Sequence, residues 1–400
     1  MKQFKSFLGD RLKQYIAIFA AFALLLGLLW YRLGSLTQGK AAEIEVATQL
    51  SSATWQAIVA DPLYAPYNFL HLFGVVLGYT GITSLRLTST FFAIIAAILF
   101  YFTARQWHNM RVALLASWLF VTSAWFLHVS RLGSPEILWL VSMLAIVVIL
   151  APNKNGRHNR LALPSMLLGL TAVLYVPGMI WLVLMGAIIQ RKNIREAWQV
   201  THASWMRALS LLAGIVLLAP LVYAFAKTPG LIREWLGINP SLELSLEGLK
   251  TVAYTIGNVP KSLFISSSFD PVHWLGNLPL LSSFEIIMLL LGMYFYATHI
   301  RAARTRLILT LSAVALLIIG ISGITAISLI VPIVYLLVAA GIAYILHLWL
   351  KVFPNNPVAR TTGITIILLT VLLTSAYQTR SYFVAWRYNP DTLQSFQTKL

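Results

Sequence analysis

The sequence predicts an all-α polytopic membrane protein with about 11 transmembrane helices. Hydrophobic residues make up 59% of the 400 residues, only 10% are charged, and the mean hydropathy is +0.79. Apolar runs of spanning length recur from one end of the chain to the other, which is not the composition of a soluble domain. Runs such as 86–104 and 361–377 are continuously apolar, whereas the strands of an outer-membrane barrel alternate apolar and polar residues.

The charge distribution favours a membrane protein over a nucleic-acid-binding protein. The formal net charge is +17 and the isoelectric point is about 10.1, but the basic residues form short clusters between apolar runs. This pattern is typical of the positive-inside rule, and no nucleic-acid partner is expected. The chain has no cysteine, which excludes disulfides, thiolate metal sites and a cysteine nucleophile.

The apolar runs are assigned in order along the chain. Run 15–31 is too long for a signal-peptide core and is interpreted as an uncleaved signal anchor. The stretch 66–80 is about 15 residues long and begins at Pro66, so it is interpreted as an interfacial helix and not as a span. The other predicted spans are 86–104, 112–128, 136–151, 161–175, 178–190, 208–226, 284–299, 307–321, 324–346 and 361–377.

The basic loops orient these spans in the cytoplasmic membrane. A cytoplasmic N-terminus places 18 of the 29 Lys and Arg residues inside, but only 2 of the 12 Asp and Glu residues. The C-terminus is then external. We expect one domain over 1–400, with external regions at 35–85, 227–283 and 378–400. In the second of these, Leu249, Val252, Ala253 and Ile256 have helical spacing and predict an amphipathic helix.

Because ten acids collect on the external side, the candidate chemistry is sought there. Glu43 and Glu45 follow the first span on a short predicted helix. Residues two apart on a helix lie about 200° apart, so only one of the two can face a site. The alternative is that both are ordinary surface charges of an interfacial helix, since an isolated carboxylate is seldom catalytic.

A second candidate is the external turn between the third and fourth spans. Ser134, Pro135 and Glu136 suit a helix start, because they provide a cap, a first-turn proline and an acid that complements the helix dipole. Arg131 has no such structural explanation. Its guanidinium is suited to a phosphate or a neighbouring carboxylate, and binding to lipid headgroups is the alternative.

Three further residues are accessory candidates. Asp270 and His273 could bind metal or accept a proton, although a capped turn is the more ordinary explanation of that spacing across a proline. Tyr175 lies in a tight external turn, where an interfacial aromatic residue is the alternative. No cofactor is indicated with certainty, and a requirement for a divalent metal is left open.

The order of these segments resembles the GT-C superfamily of membrane glycosyltransferases, and most closely bacterial relatives of protein O-mannosyltransferase and of the lipid A aminoarabinose transferase. After the signal anchor come an early external acid, Glu43 or Glu45, and the segment Asp61-Pro62-Leu63-Tyr64-Ala65-Pro66-Tyr67. The matching residues further along the chain are Arg86 at the second span, the turn from Ser130-Arg131 to Glu136, the segment Asn277-Leu278-Pro279-Leu280-Leu281, and residues 349–357.

The resemblance implies an inverting glycosyltransferase that uses a polyprenyl-phosphate sugar donor. Glu43 or Glu45 would be the general base, with Arg131, Glu136 and Arg86 near the donor phosphate and Asp61 as an accessory residue. We expect the early acid, Arg131 and Glu136 to converge on one cavity open to lipid. The acceptor, whether glycan, lipid or protein, stays open.

The chain also departs from the family pattern. Ala42 precedes Glu43 where the family commonly has an acid, and Tyr175 stands where a lysine is frequent. The alternatives are therefore a catalytically inactive scaffold of an envelope assembly, or a lipid or sugar transporter. A transporter is less well supported, because the chain shows neither internal repeats nor charges at the centres of the second, fourth and eleventh spans.

Overall fold

The computed structural model describes residues 19–33, 55–79, 81–151, 162–201, 204–243, 245–267 and 274–396. These residues form helices and connecting turns, and no strand occurs among them. The first part of the chain contains α1 (Phe19–Trp30), α2 (Trp55–Ala60), α3 (Ala65–Val76), α4 (Ile82–Trp107), α5 (Met110–Thr122), α6 (Ala124–Arg131), α7 (Ile137–Leu150), α8 (Ala162–Val173) and α9 (Met179–Ile189). The second contains α10 (Arg191–Val200), α11 (Ser204–Lys227), α12 (Leu231–Trp235), α13 (Leu246–Phe264), α14 (Ser283–Thr298), α15 (Ala303–Ser322), a 3₁₀ segment (Ile324–Leu329), α16 (Val331–Val352), α17 (Pro357–Arg380), a π-helical segment (Ser381–Trp386) and α18 (Pro390–Phe396).

The all-α polytopic fold class is confirmed, but the count of eleven spans is not. Among the described residues, five helical stretches are long and apolar enough to cross a membrane, and the bent pair α5–α6 makes a sixth. Five shorter apolar helices, α1, α7, α8, α9 and α14, coincide with the remaining predicted runs. The stretch predicted to be interfacial forms α3, which has only 12 residues, and the predicted amphipathic helix forms α13.

The core is built around α4, α7 and α16, which contribute many of the largest fully buried side chains: Leu85, Phe100, Ile137, Leu140, Met143 and Tyr335. α14 packs on α16 at two glycines. A Cβ on Gly292 would lie 1.9 Å from the Leu337 carbonyl oxygen, and a Cβ on Gly341 would lie 1.9 Å from that of Met288. Small residues at helix interfaces allow this backbone approach within membranes.

α5 and α6 meet at a bend of 60°. Ser123 has extended backbone angles at this point, and its hydroxyl accepts a hydrogen bond from the Phe126 amide at 3.3 Å. The Ala124 amide donates to Oε1 of Gln378 on α17 at 3.3 Å. The Ala124 and Phe126 amides at the start of α6 therefore have hydrogen-bond acceptors. The bend changes the direction of the chain before α6, which ends at Arg131.

Candidate active site

Four arginines gather at one end of the helix bundle. Arg32 follows α1, Arg86 lies in the first turn of α4, Arg131 ends α6, and Arg387 follows the π-helical segment. Arg86 and Arg387 are close enough for their charges to act on Arg131. Arg32, Leu33, Arg131, Tyr382, Phe383, Trp386 and Arg387 line a small pocket, which we call the arginine pocket.

Arg131 is the buried centre of this group. Its side chain is only 7% exposed, and its Nη2 donates to the Tyr31 carbonyl oxygen at 2.5 Å. In the part of the chain that the structure describes, Nε and Nη1 are buried and have no hydrogen-bond partner. Because a buried guanidinium with unsatisfied donors is costly, this group is suited to bind an anion.

Aromatic rings cover the guanidinium. Its carbon lies 5.3 Å from the ring centre of Tyr382 and 4.7 Å from that of Phe383, which are cation–π distances. Both rings are carried by the π-helical segment, a conformation that is rare and frequent at functional sites. Trp386 stacks on Tyr382 at 5.2 Å and meets His128 edge-on at 5.0 Å.

Arg86 lies beside this pocket and is itself buried, with 2% exposure. Its Nη1 donates to the Leu33 carbonyl oxygen at 3.2 Å. One turn further along α4, Ser89 Oγ lies 2.9 Å from the Tyr67 hydroxyl and 3.3 Å from the Ser134 carbonyl oxygen. These bonds attach the start of α4 to α3 and to the α6–α7 turn.

Three acids, Asp61, Glu136 and Glu234, form a neighbourhood that includes Tyr64. Burial, followed by the charges of Glu136 and Glu234, raises the pKa of the Tyr64 hydroxyl. Burial and the charge of Asp61 raise the pKa of Glu234. Glu136 and Asp61 therefore belong to one neighbourhood. Glu136 is close to Arg131 in the sequence, but neither acid lines the arginine pocket.

Tyr175 also contacts this neighbourhood. Its carbonyl oxygen accepts a hydrogen bond from the Tyr64 amide at 2.8 Å, and its hydroxyl donates to the Leu217 carbonyl oxygen on α11. Burial raises the pKa of this hydroxyl. In this position Tyr175 connects the turn between α8 and α9 to α3 and α11. Glu43, Glu45, Asp270 and His273 lie outside the described residues.

A second cavity, of about 540 Å³, lies between the C-terminal part of α17 and the start of α14. Beside it, the buried Glu285 side chain accepts hydrogen bonds from the Tyr335 hydroxyl at 2.7 Å and from Gln378 Nε2 at 2.8 Å. Glu285 also forms a capping box with Ser282. Glu285 thus joins α14, α16 and α17, as a structural acid.

Comparison with known proteins identifies solved structures with a similar fold. No family model and no curated protein sequence matches the chain. Among solved structures, ArnT from Cupriavidus metallidurans matches in its apo state with 13% identity and a TM-score of 0.55, over 96% of this chain and 76% of ArnT. ArnT bound to undecaprenyl phosphate matches with 12% identity and a TM-score of 0.52, over 95% and 75%.

The chain has an ArnT-like fold. This likeness confirms the resemblance stated from the order of the sequence segments. The helices that are long and apolar enough to cross a membrane agree with a multi-pass membrane protein. In the part of the chain that the structure describes, no group of three or more His, Asp or Glu residues is arranged to hold a metal ion.

Sequence reasoning missed several residues of the arginine pocket in this GT-C-like fold. Arg32 and Arg387 were not singled out, and neither were Tyr382, Phe383 and Trp386. A signal was nevertheless present, because arginines on the predicted external side run against the positive-inside bias. Arg32 directly follows the predicted outward-running span 15–31, and Arg387 lies in the predicted external tail 378–400, each beside aromatic residues.

Proposed function

We propose that this chain is an inverting glycosyltransferase, with hexosyl or pentosyl transfer from a polyprenyl-phosphate donor to an acceptor at the outer face of the cytoplasmic membrane. The N-terminus is then cytoplasmic, and the C-terminus and the site are external. The observation that carries the proposal is the buried Arg131 guanidinium, which lies near other arginines. Its Nε and Nη1 have no hydrogen-bond partner among the described residues.

A lipid-linked phosphate suits this arrangement. Charge-assisted hydrogen bonds from a guanidinium to phosphate are strong in a site of low dielectric constant. Arg86, Arg32 and Arg387 add positive charge that would stabilise the phosphate as it leaves. The binding of undecaprenyl phosphate by ArnT supports the same class of ligand for this fold.

The reaction requires a base on the face of the sugar opposite the phosphate. We assign this role to Glu43 or Glu45, and we assign Glu136 to the same external site as a second acid. The base takes the proton of the acceptor as the acceptor oxygen or nitrogen attacks the anomeric carbon. Direct displacement on the opposite face inverts the anomeric configuration.

The donor site is tested by the binding of undecaprenyl phosphate to the protein in nanodiscs. Arg131→Ala removes charge-assisted bonds that contribute about 1.5–3 kcal/mol, so we expect binding to weaken by about 10- to 100-fold. Arg131→Lys restores the charge but not the fork of donors, and should recover only part of the affinity. Arg105→Ala, at the other end of α4, is the matched control.

The chemistry is tested by transfer from a panel of polyprenyl-phosphate sugars, with and without divalent metal. Glu43→Gln or Glu45→Gln should abolish transfer while leaving undecaprenyl phosphate binding unchanged. A wild-type protein that binds no polyprenyl phosphate, or an Arg131→Ala variant that binds it normally, would refute the donor assignment. Binding without transfer to any acceptor would favour the inactive scaffold.

A further inference from the structure

The cavity of about 540 Å³ is much larger than the arginine pocket, whose free volume is about 20 Å³. Its size falls within the range of about 300–1,000 Å³ found for ligand-binding sites. The donor phosphate proposed above does not need this cavity, because none of the four arginines lines it. The cavity therefore has space for a second substrate.

The lining of this cavity is amphipathic. Ser282, Ser283 and Ser381 contribute hydroxyls, and Phe264, Phe284 and Leu373 contribute apolar surface. Ser282 already accepts a hydrogen bond from the Glu285 amide, but a purely apolar ligand would offer no partner to the hydroxyls of Ser283 and Ser381. A fully polar ligand would leave the aromatic and aliphatic surface unused, so the lining matches a molecule with both parts.

The cavity opens on the lipid-facing side of α17. Leu373 and Tyr377, which line it, are 70% and 55% exposed, and α17 is one of the helices long enough to span the membrane. Exposed apolar residues on a spanning helix face the hydrocarbon of the bilayer. A ligand can therefore enter sideways from the membrane.

A narrow void lies between the two sites. It shares Trp274 and Ser381 with the large cavity, and Tyr382 and Trp386 with the arginine pocket. The π-helical segment thus contributes to both sites. His128 lines the void beside these rings and meets Trp386 edge-on.

We propose that the large cavity binds the acceptor, and that the acceptor is a membrane lipid with a hydroxylated headgroup. This inference rests on the proposed function. The acceptor oxygen forms a bond to the anomeric carbon as the bond from that carbon to the phosphate oxygen breaks. The acceptor proton passes to the general base, and polyprenyl phosphate leaves with the electron pair.

The test uses monoglucosyl-diacylglycerol as a hydroxylated lipid probe, with binding to the protein in detergent measured by native mass spectrometry. Ser283→Trp and Leu373→Trp place a large ring in the cavity from exposed positions, so neither disturbs the core. We expect each to weaken binding of the probe at least tenfold and to leave undecaprenyl phosphate binding within twofold. Leu372→Trp, on the same helix but outside the cavity, should change neither.

The outcomes separate this inference from the proposed function. Loss of undecaprenyl phosphate binding in the wild-type protein counts against the donor site. Intact donor binding with unchanged probe affinity in both cavity variants overturns the acceptor assignment. The assignment is also overturned if phosphatidylcholine binds as tightly as the probe, or if a soluble peptide or methyl glucoside binds competitively at the same concentration.

Discussion

At the scale of single residues, Arg131 is unusual because its burial is only partly compensated. One of its nitrogens donates to a carbonyl oxygen and two aromatic rings cover the guanidinium, yet the other two nitrogens have no hydrogen-bond partner among the described residues. An arginine at a helix C-terminus interacts favourably with the helix dipole, but this interaction contributes only about 0.3–1 kcal/mol. This is smaller than the cost of two unsatisfied buried donors, so a ligand is the better explanation.

Glu234 gives a residue-scale prediction about pH. Its pKa is raised in the folded protein, so the protonated form contributes stability below the unfolded pKa, and this contribution is lost as the pH rises through the folded pKa. We therefore expect Glu234→Gln to unfold at a higher apparent temperature than the wild type at pH 7.5. Thermal unfolding in detergent between pH 5 and 7.5 measures this difference.

The difference should shrink as the pH falls, because wild-type Glu234 then takes up a proton. Glu247→Gln is the charge-matched control, since Glu247 is exposed and pairs with Lys250 at 2.7 Å. An exposed pair of this kind contributes little, so the control should behave like the wild type. A difference that widens towards pH 5 would contradict the role assigned to burial and Asp61.

At the scale of elements, the sequence predicts the positions of helices better than it predicts the bends and irregular segments between them. Apolar runs and the period of Leu249, Val252 and Ile256 locate the helices, because burial in lipid or against a neighbour needs little more than hydrophobicity. The 60° bend at Ser123 and the π-helical segment depend on tertiary hydrogen bonds and ring packing. No local pattern in the sequence encodes those contacts.

The packing of α14 on α16 gives an element-scale prediction. Gly292→Ala places a methyl group against the backbone of Leu337, which cannot turn aside as a side chain could. We expect a loss of about 1–3 kcal/mol, the usual range for overpacking, and a lower apparent unfolding temperature. Gly257→Ala on α13 is the control, because nothing lies within 4 Å of the added carbon. Equal unfolding temperatures for the two variants would show that α14 and α16 do not pack this closely.

At the scale of the whole molecule, the sequence predicts which ends of the helices lie together. The predicted outer ends of the first, second, third and last spans carry Arg32, Arg86, Arg131 and Arg387, and these four residues share one end of the bundle. The pairing of Arg304 with the Trp107 carbonyl oxygen joins two predicted inner ends at the other. The early acids could not be placed in the same way, since Glu43 and Glu45 lie outside the described residues.

The orientation of the bundle is a prediction that the cysteine-free chain makes easy to test. Single cysteines at Asn277 and Tyr388, exposed on the arginine-pocket face, should react with a membrane-impermeant maleimide in right-side-out vesicles. Ala302→Cys and Asn355→Cys, exposed on the opposite face, should react only after the membrane is permeabilised. The wild-type chain supplies a background without thiols. The reverse labelling pattern would place the arginine pocket in the cytoplasm, and with it the donor and acceptor sites. Different labelling of two positions on the same face would contradict the shared end of the bundle.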